Sequence, residues 1–189
     1  RAEAAGLPFE AVLCDSLYGR SSQFRCALRD EHLLYMADIP NNLRVYLEQP
    51  IIGVPERRPG TKGRKPEQPQ VLNGVRSYSV KQVGQAEDTH WQRLCIRTNE
   101  RGVLEDRFAA RPVWVWDEKQ PEIPLHQEWL TTRIESNGDH TYALSNAPQD
   151  ASLQFLAELM CGRYFVERVI QDSKDEIGAD EFQAQKYLA

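Results

Sequence analysis

The stretch Ala11-Val12-Leu13-Cys14-Asp15-Ser16-Leu17-Tyr18-Gly19, read with Leu33-Leu34-Tyr35-Met36-Ala37, decides the fold class. Ala11 to Cys14 is a short apolar run that reads as a strand, and Asp15 to Gly19 reads as the loop that ends it. Ser21 or Ser22 can cap a following helix, in which Phe24, Ala27 and Leu28 recur at three-to-four spacing before Asp30 and Glu31. Leu33 to Ala37 is a second apolar strand. Strand, helix and strand within so few residues predict a parallel pair with the helix crossing over it, and therefore an α/β fold.

Downstream of Pro50 the texture changes. Residues 55–66 form a basic loop rich in Pro and Gly, with Arg57, Arg58, Lys62, Arg64 and Lys65, which should resist regular structure. A solvated loop and a contact to a nucleic-acid backbone are both open readings of it. Short strand-like runs follow at Trp91 to Arg97, Pro112 to Trp116 and Glu128 to Ile134, with turns at Asn99 to Gly102 and at Asn137-Gly138. The Asn-Gly pair predicts a hairpin joining Trp129–Glu135 to His140–Leu144. The final segment reads as helical: Asp150 can cap it, Leu153, Leu156, Leu159 and Met160 form an apolar stripe, and Gly162 interrupts it. A second helix is predicted from about Arg163 to Glu176, with Val166, Val169, Ile170, Ser173 and Ile177 on one face and Gly178 as its stop.

The chain has 189 residues, which suits one domain carrying an insertion. With 27% charged and 41% hydrophobic residues, the composition is that of a globular protein rather than a disordered or membrane one. A net charge of −5 argues against a strongly basic nucleic-acid module, although a nuclease core gathers carboxylates for metal and can leave phosphate contacts to a local patch. Cys14, Cys26, Cys95 and Cys161 show no C-x-x-C pairing, and His32, His90, His126 and His140 show no ligand spacing, which argues against a zinc or histidine-based site. The chain begins with Arg1 rather than Met, and Arg1 to Phe9 has no apolar core of a signal peptide, so a fragment or processed product is expected.

Two places hold residues of a type and position suited to chemistry. Asp15 lies just past the carboxyl end of a strand, where open α/β sheets place reactive groups, although aspartate is also an ordinary turn residue. On the last predicted helix Arg163, Glu167, Ile170 and Lys174 follow at spacings of four, three and four, so the three polar residues share one stripe. An exposed salt-bridge row is the alternative there. Arg preceding Glu at i, i+4 is the less favourable order, and an Arg in the first turn opposes the helix dipole.

Taken together, Val12-Leu13-Cys14-Asp15-Ser16-Leu17-Tyr18-Gly19 and Arg163-Tyr164-Phe165-Val166-Glu167 with Lys174 resemble two blocks of DDE-type insertion-sequence transposases, the bacterial DDE superfamily endonucleases. The first is similar to the strand-end motif of the second catalytic carboxylate. The second is similar to the helix that carries the catalytic Glu. Met160 stands where many members have Tyr three residues before the Arg.

The resemblance implies a partial ribonuclease H-like α/β fold with a β-rich insertion between the second catalytic Asp and the Glu helix. It divides the chain into a first segment of the core (residues 1–50), a basic loop and insertion (51–145) and a second, helical segment of the core (146–189). It implies a metal-dependent endonuclease that cuts and joins insertion-sequence DNA. Asp15 and Glu167 would hold Mg²⁺ or Mn²⁺, and Arg163 and Lys174 would hold DNA phosphates. Double-stranded DNA, as element ends and target, is the implied partner, with a homodimer as candidate assembly. The implied location is the bacterial cytoplasm, acting at the nucleoid, without a membrane. The family's first Asp has no counterpart before Asp15, since Glu3 and Glu10 sit in the wrong place, so the isolated chain is expected to be inactive.

Three readings therefore stand at this point. The first is the transposase. A second is an inactive or domesticated remnant that binds DNA or a protein. The third is an unrelated α/β domain in which Asp15 and Glu167 never meet. Trp91, Trp114, Trp116 and Trp129 fall in the insertion; related transposases stack an aromatic residue on a flipped base, but packing is the expectation for each.

Overall fold

The structure, a computed structural model, describes residues 10–56, 66–99 and 102–162. It is a mixed α/β fold built on one large sheet. Strand β1 (Val12–Cys14) runs into a single helical turn, α1 (Ser16–Gly19), then helix α2 (Ser22–Asp30) and strand β2 (Tyr35–Asp38). β1 and β2 pair in parallel, with Leu13 opposite Met36 and Cys14 opposite Ala37, as the strand-helix-strand pattern predicts.

Ser21 caps α2 by accepting from the Phe24 amide at 3.2 Å. At the other end the Leu33 amide reaches the Leu28 carbonyl and the His32 amide the Arg29 carbonyl, which is a Schellman ending. His32 takes the left-handed position there (φ 57°), a place usually given to glycine. This ending occupies Leu33, so the second strand begins at Tyr35 rather than at Leu33. Asn146 fills the gap: its side chain accepts from the Tyr35 amide at 2.8 Å and donates to the Leu33 carbonyl at 2.9 Å.

The rest of the sheet is antiparallel. Strands β3 (Arg44–Tyr46), β6 (Ser77–Ser79), β7 (Gln92–Asn99), β8 (Gly102–Val115), β9 (His126–Ile134) and β10 (His140–Ser145) join it in the order β1-β2-β10-β9-β8-β3-β6, with β7 also on β8. β4 (Ile52–Gly53) and β5 (Gln70–Val71) make a separate two-stranded ribbon. The predicted hairpin is present, with β9 and β10 joined across Ser136 to Asp139 and Gly138 at φ +87°. The run predicted from Pro112 to Trp116 ends at Val115 and extends back to Gly102 as a 14-residue strand, because β9 offers a partner along much of its length and β7 along the remainder. β10 pairs directly with β2, so these strands continue the sheet that β1 and β2 begin.

Period-two alternation assigns the faces. Val12, Cys14, Tyr35 and Ala37 pack with Phe24 and Leu28 of α2. Tyr142, Leu144, Val113, Val115 and Leu130 pack with Val80 and Val83 of α3 (Val80–Gly84), which a Ser79–Gln82 capping box begins. On the opposite face Leu13, Met36, Phe108 and Ala143 meet Leu156, Ala157, Met160 and Cys161. Those last four belong to helix α4, residues 153–162. The apolar stripe predicted for this helix is therefore its buried face. Its cap is Ser152, which accepts from the Phe155 amide at 3.1 Å, rather than Asp150. Gly162, expected to interrupt the helix, is still within it.

Candidate active site

Asp15 sits at the carboxyl end of β1. Instead of opening a loop it caps α1, since its Oδ1 accepts from the amides of Leu17 at 3.0 Å and Tyr18 at 3.3 Å. A 2.7 Å bond from the Gly19 amide to the Asp15 carbonyl closes the turn. Among the described residues Oδ2 of Asp15 takes no hydrogen bond, so one carboxylate oxygen serves the turn and the other faces no donor. The turn role and a chemical role are thus compatible.

Gly19 explains why the motif ends in glycine. A Cβ placed there would lie 3.0 Å from the carbonyl carbon of Asp38 and 3.2 Å from that of Ala37, and would overlap the Asp38 oxygen. Only a residue without a side chain lets α1 rest against the end of β2. Asp38 follows Ala37 at the same end of the parallel pair as Asp15 follows Cys14, so two aspartates leave adjacent strands side by side.

Beneath the turn lies a buried polar network that the sequence reading missed. Arg25 of α2 is 1% exposed. Its Nη1 donates to the Gly19 carbonyl, and its Nε to Glu128 Oε1 of β9 at 3.3 Å. His126 Nε2 lies 2.6 Å from the same oxygen, and His126 Nδ1 lies 2.9 Å from the Pro124 carbonyl, so each ring nitrogen faces an acceptor. Burial alone would raise the Glu128 carboxyl, but Arg25, then His126 and Tyr35, outweigh it and hold it below its ordinary value. Burial, with Glu128 adding to it, pushes the Tyr35 phenol far up. The Tyr35 hydroxyl lies near the carboxylate but outside hydrogen-bond geometry, and Glu128 Oε2 takes no hydrogen bond among the described residues either. The pattern was there to be read: Arg25 falls on the apolar stripe of α2 between Ser21 and Leu28, and a cation on a buried stripe demands a buried anion. His126 and Glu128 alternate with Leu130 on one face of β9 and supply it.

On the opposite face α4 reaches the strand that carries Asp15. A Cβ at Gly162 would come within 2.7 Å of Leu13 Cδ1, two residues before Asp15. Arg163, Glu167 and Lys174 lie outside the described residues, as do Arg57, Arg58, Lys62, Arg64 and Lys65 of the basic loop. Among the described residues no three His, Cys, Asp or Glu side chains are grouped to hold a metal ion. The donors present at this strand end, carboxylate oxygens, are of the type that suits a hard cation such as Mg²⁺.

Beside the Asp15 turn a cavity of about 470 Å³ opens between α2, the chain after β2 and the chain after β8, with Arg20, Arg44, Lys119, Tyr46 and Trp116 in its wall. Trp116 is buried, and Trp129 donates to the Pro148 carbonyl at 2.9 Å. Trp91 stands edge-on to His140 under the guanidinium of Arg107. These contacts match the packing roles expected of them.

The domain is thus a mixed α/β fold with a capped aspartate at the carboxyl end of its parallel pair, the place where open α/β sheets commonly carry reactive groups. The family model described as DDE superfamily endonuclease matches residues 1–103, and the chain belongs to that family. The family is one of endonucleases, which act on DNA. The matched span contains Asp15 and Gly19 and ends before α4. Searches of curated proteins and of solved structures each found no match. Among the described residues no helix is long and apolar enough to cross a membrane.

Proposed function

We propose that the chain belongs to the catalytic domain of a DDE transposase that cuts insertion-sequence DNA and joins it to a target, on a ribonuclease H-like core. In this reading residues 1–50 and 146–189 are the two segments of the core and 51–145 is the insertion, whose strands extend the sheet from β2. Asp15 and Glu167 hold the divalent ions, Mg²⁺ or Mn²⁺, and Arg163 and Lys174 hold phosphates of the element end. The ions, when bound, activate the attacking hydroxyl and stabilise the leaving oxygen.

The observation that carries the reading is the approach of Gly162 to Leu13. Leu13 to Asp15 spans about 7 Å of strand. From Gly162 to Glu167 the chain extends at most about 18 Å however it runs. The contact holds the start of the segment that leads to Glu167 beside the strand that carries Asp15, which favours a shared site over the third reading. The open Oδ2 of Asp15 adds the ligand atom that a cation needs.

The test is cleavage of supercoiled plasmid carrying matched element ends by the full-length protein, with Mg²⁺ or Mn²⁺. Asp15→Asn and Glu167→Gln each abolish it while the protein stays folded, and Arg163→Ala and Lys174→Ala weaken DNA binding more than chemistry. This 189-residue chain alone leaves the plasmid intact. Undiminished cleavage by Asp15→Asn would overturn the proposal.

A further inference from the structure

We propose that Arg25 is a positioning residue for Asp15, held in place by Glu128 and His126. This rests on the reading of Asp15 given above.

The turn from Asp15 to Gly19 is fixed at three points. Asp15 Oδ1 gathers the amides of Leu17 and Tyr18, and Gly19 rests against the backbone of Asp38. The third point is the Gly19 carbonyl, which receives Nη1 of Arg25. The first two tie the turn to itself and to β2; the third ties it to β9 across the helix-covered face, because Arg25 is anchored there. Its Nε is bound to Glu128 on β9, and His126 grips the same carboxylate oxygen at 2.6 Å. Glu128 and His126 thus transmit the position of the sheet to the turn through one planar fork. Arginine suits this role, because a guanidinium directs two donors at fixed angles whereas an ammonium is a single point on a flexible stem. The burial is otherwise unfavourable, since a charged pair taken out of water gains little over apolar side chains of the same volume. A purely structural role would therefore be met as well by methionine and leucine.

That comparison is the experiment. In the full-length protein, Arg25→Met with Glu128→Leu replaces the pair by side chains of similar volume, and Arg25→Lys keeps the charge but loses the fork. Two readouts are taken on variants that retain the wild-type thermal transition: hydrogen exchange of the Leu17 and Tyr18 amides, which are bonded to the Asp15 carboxylate, and metal-dependent DNA cleavage.

Exchange at those two amides is expected to quicken about tenfold or more in the double variant and by less in Arg25→Lys, with no change in the strands. The cleavage kcat should fall in the same order with KM unchanged. Wild-type exchange and kcat in the folded variants would overturn the inference. If the double variant does not fold, wild-type values in Arg25→Lys do so alone. Asp15→Asn, run beside them, separates the two claims: cleavage surviving in Asp15→Asn removes the transposase reading itself. Cleavage lost in Asp15→Asn but normal in the Arg25 variants removes only the positioning role.

Discussion

Replacing Gly19 by alanine adds one methyl group at the most crowded point of the Asp15 turn. The new carbon would lie 3.0 Å and 3.2 Å from the carbonyl carbons of Asp38 and Ala37, against about 3.5–4.0 Å for an unstrained carbon pair. Those atoms are backbone in a paired strand, so they cannot swing aside. Turn α1 must therefore move off β2 by at least about 0.5 Å, and further to clear the Asp38 oxygen.

Overpacking of this kind costs about 1–3 kcal/mol. With a urea dependence of about 2 kcal/mol/M, the denaturation midpoint should fall by about 0.5–1.5 M. If Asp15 is catalytic as proposed, a displacement approaching 1 Å there costs as much as about 100-fold in rate, so metal-dependent cleavage should suffer well beyond the loss of stability. Gly138→Ala is the control. It sits at φ +87° with no atom within 4 Å of an added Cβ, so its cost is conformational, about 1–2 kcal/mol, and cleavage by the folded protein stays normal. A Gly19→Ala protein with the wild-type urea midpoint would refute the reasoning, because the steric argument allows no silent alternative.

Two further outcomes follow from the buried groups. Glu128 titrates below its ordinary value of 4.5, so its pairing stabilises the fold above that pH and is lost as pH falls through the lower folded-state value. Glu128→Gln, which leaves Arg25 without its anion, should cost about 3–5 kcal/mol at pH 7. The gap from wild type should then narrow on acidification below pH 4.5; a gap constant with pH in urea titrations would count against it. Burial pushes the Cys161 thiol up to about 11, and Cys14 is buried as well, so iodoacetamide at about pH 8 should modify exposed Cys95 first. Mass spectrometry that finds Cys161 alkylated in the native protein at the rate of Cys95 would contradict the packing of α4.

Local sequence was enough for the elements whose causes are local. The apolar run before Asp15, the serine cap and apolar spacing of α2, and the Asn-Gly turn between β9 and β10 each contain their own physical reason. The predicted parallel pair followed from the helix that forms the crossover between its strands. Asp15 was legible as a strand-end residue, but its capping bond to the amides of Leu17 and Tyr18 turned the expected loop into a helical turn. Gly19 stood in the motif without a reason until Asp38 was seen behind it.

Tertiary structure alone decided the remainder, because those contacts join residues far apart in the chain. Arg25 meets Glu128 only because β9 lies near enough to α2 in a sheet whose order no local pattern encodes. Gly162 meets Leu13 only because α4 crosses back over the face that α2 and α3 leave open. The residue types at each place were set by sequence, including the charge on a buried stripe that called for a partner. Which partner answered was settled by the order of the strands, since period-two patterning fixes the face a side chain takes but not the neighbour it finds there.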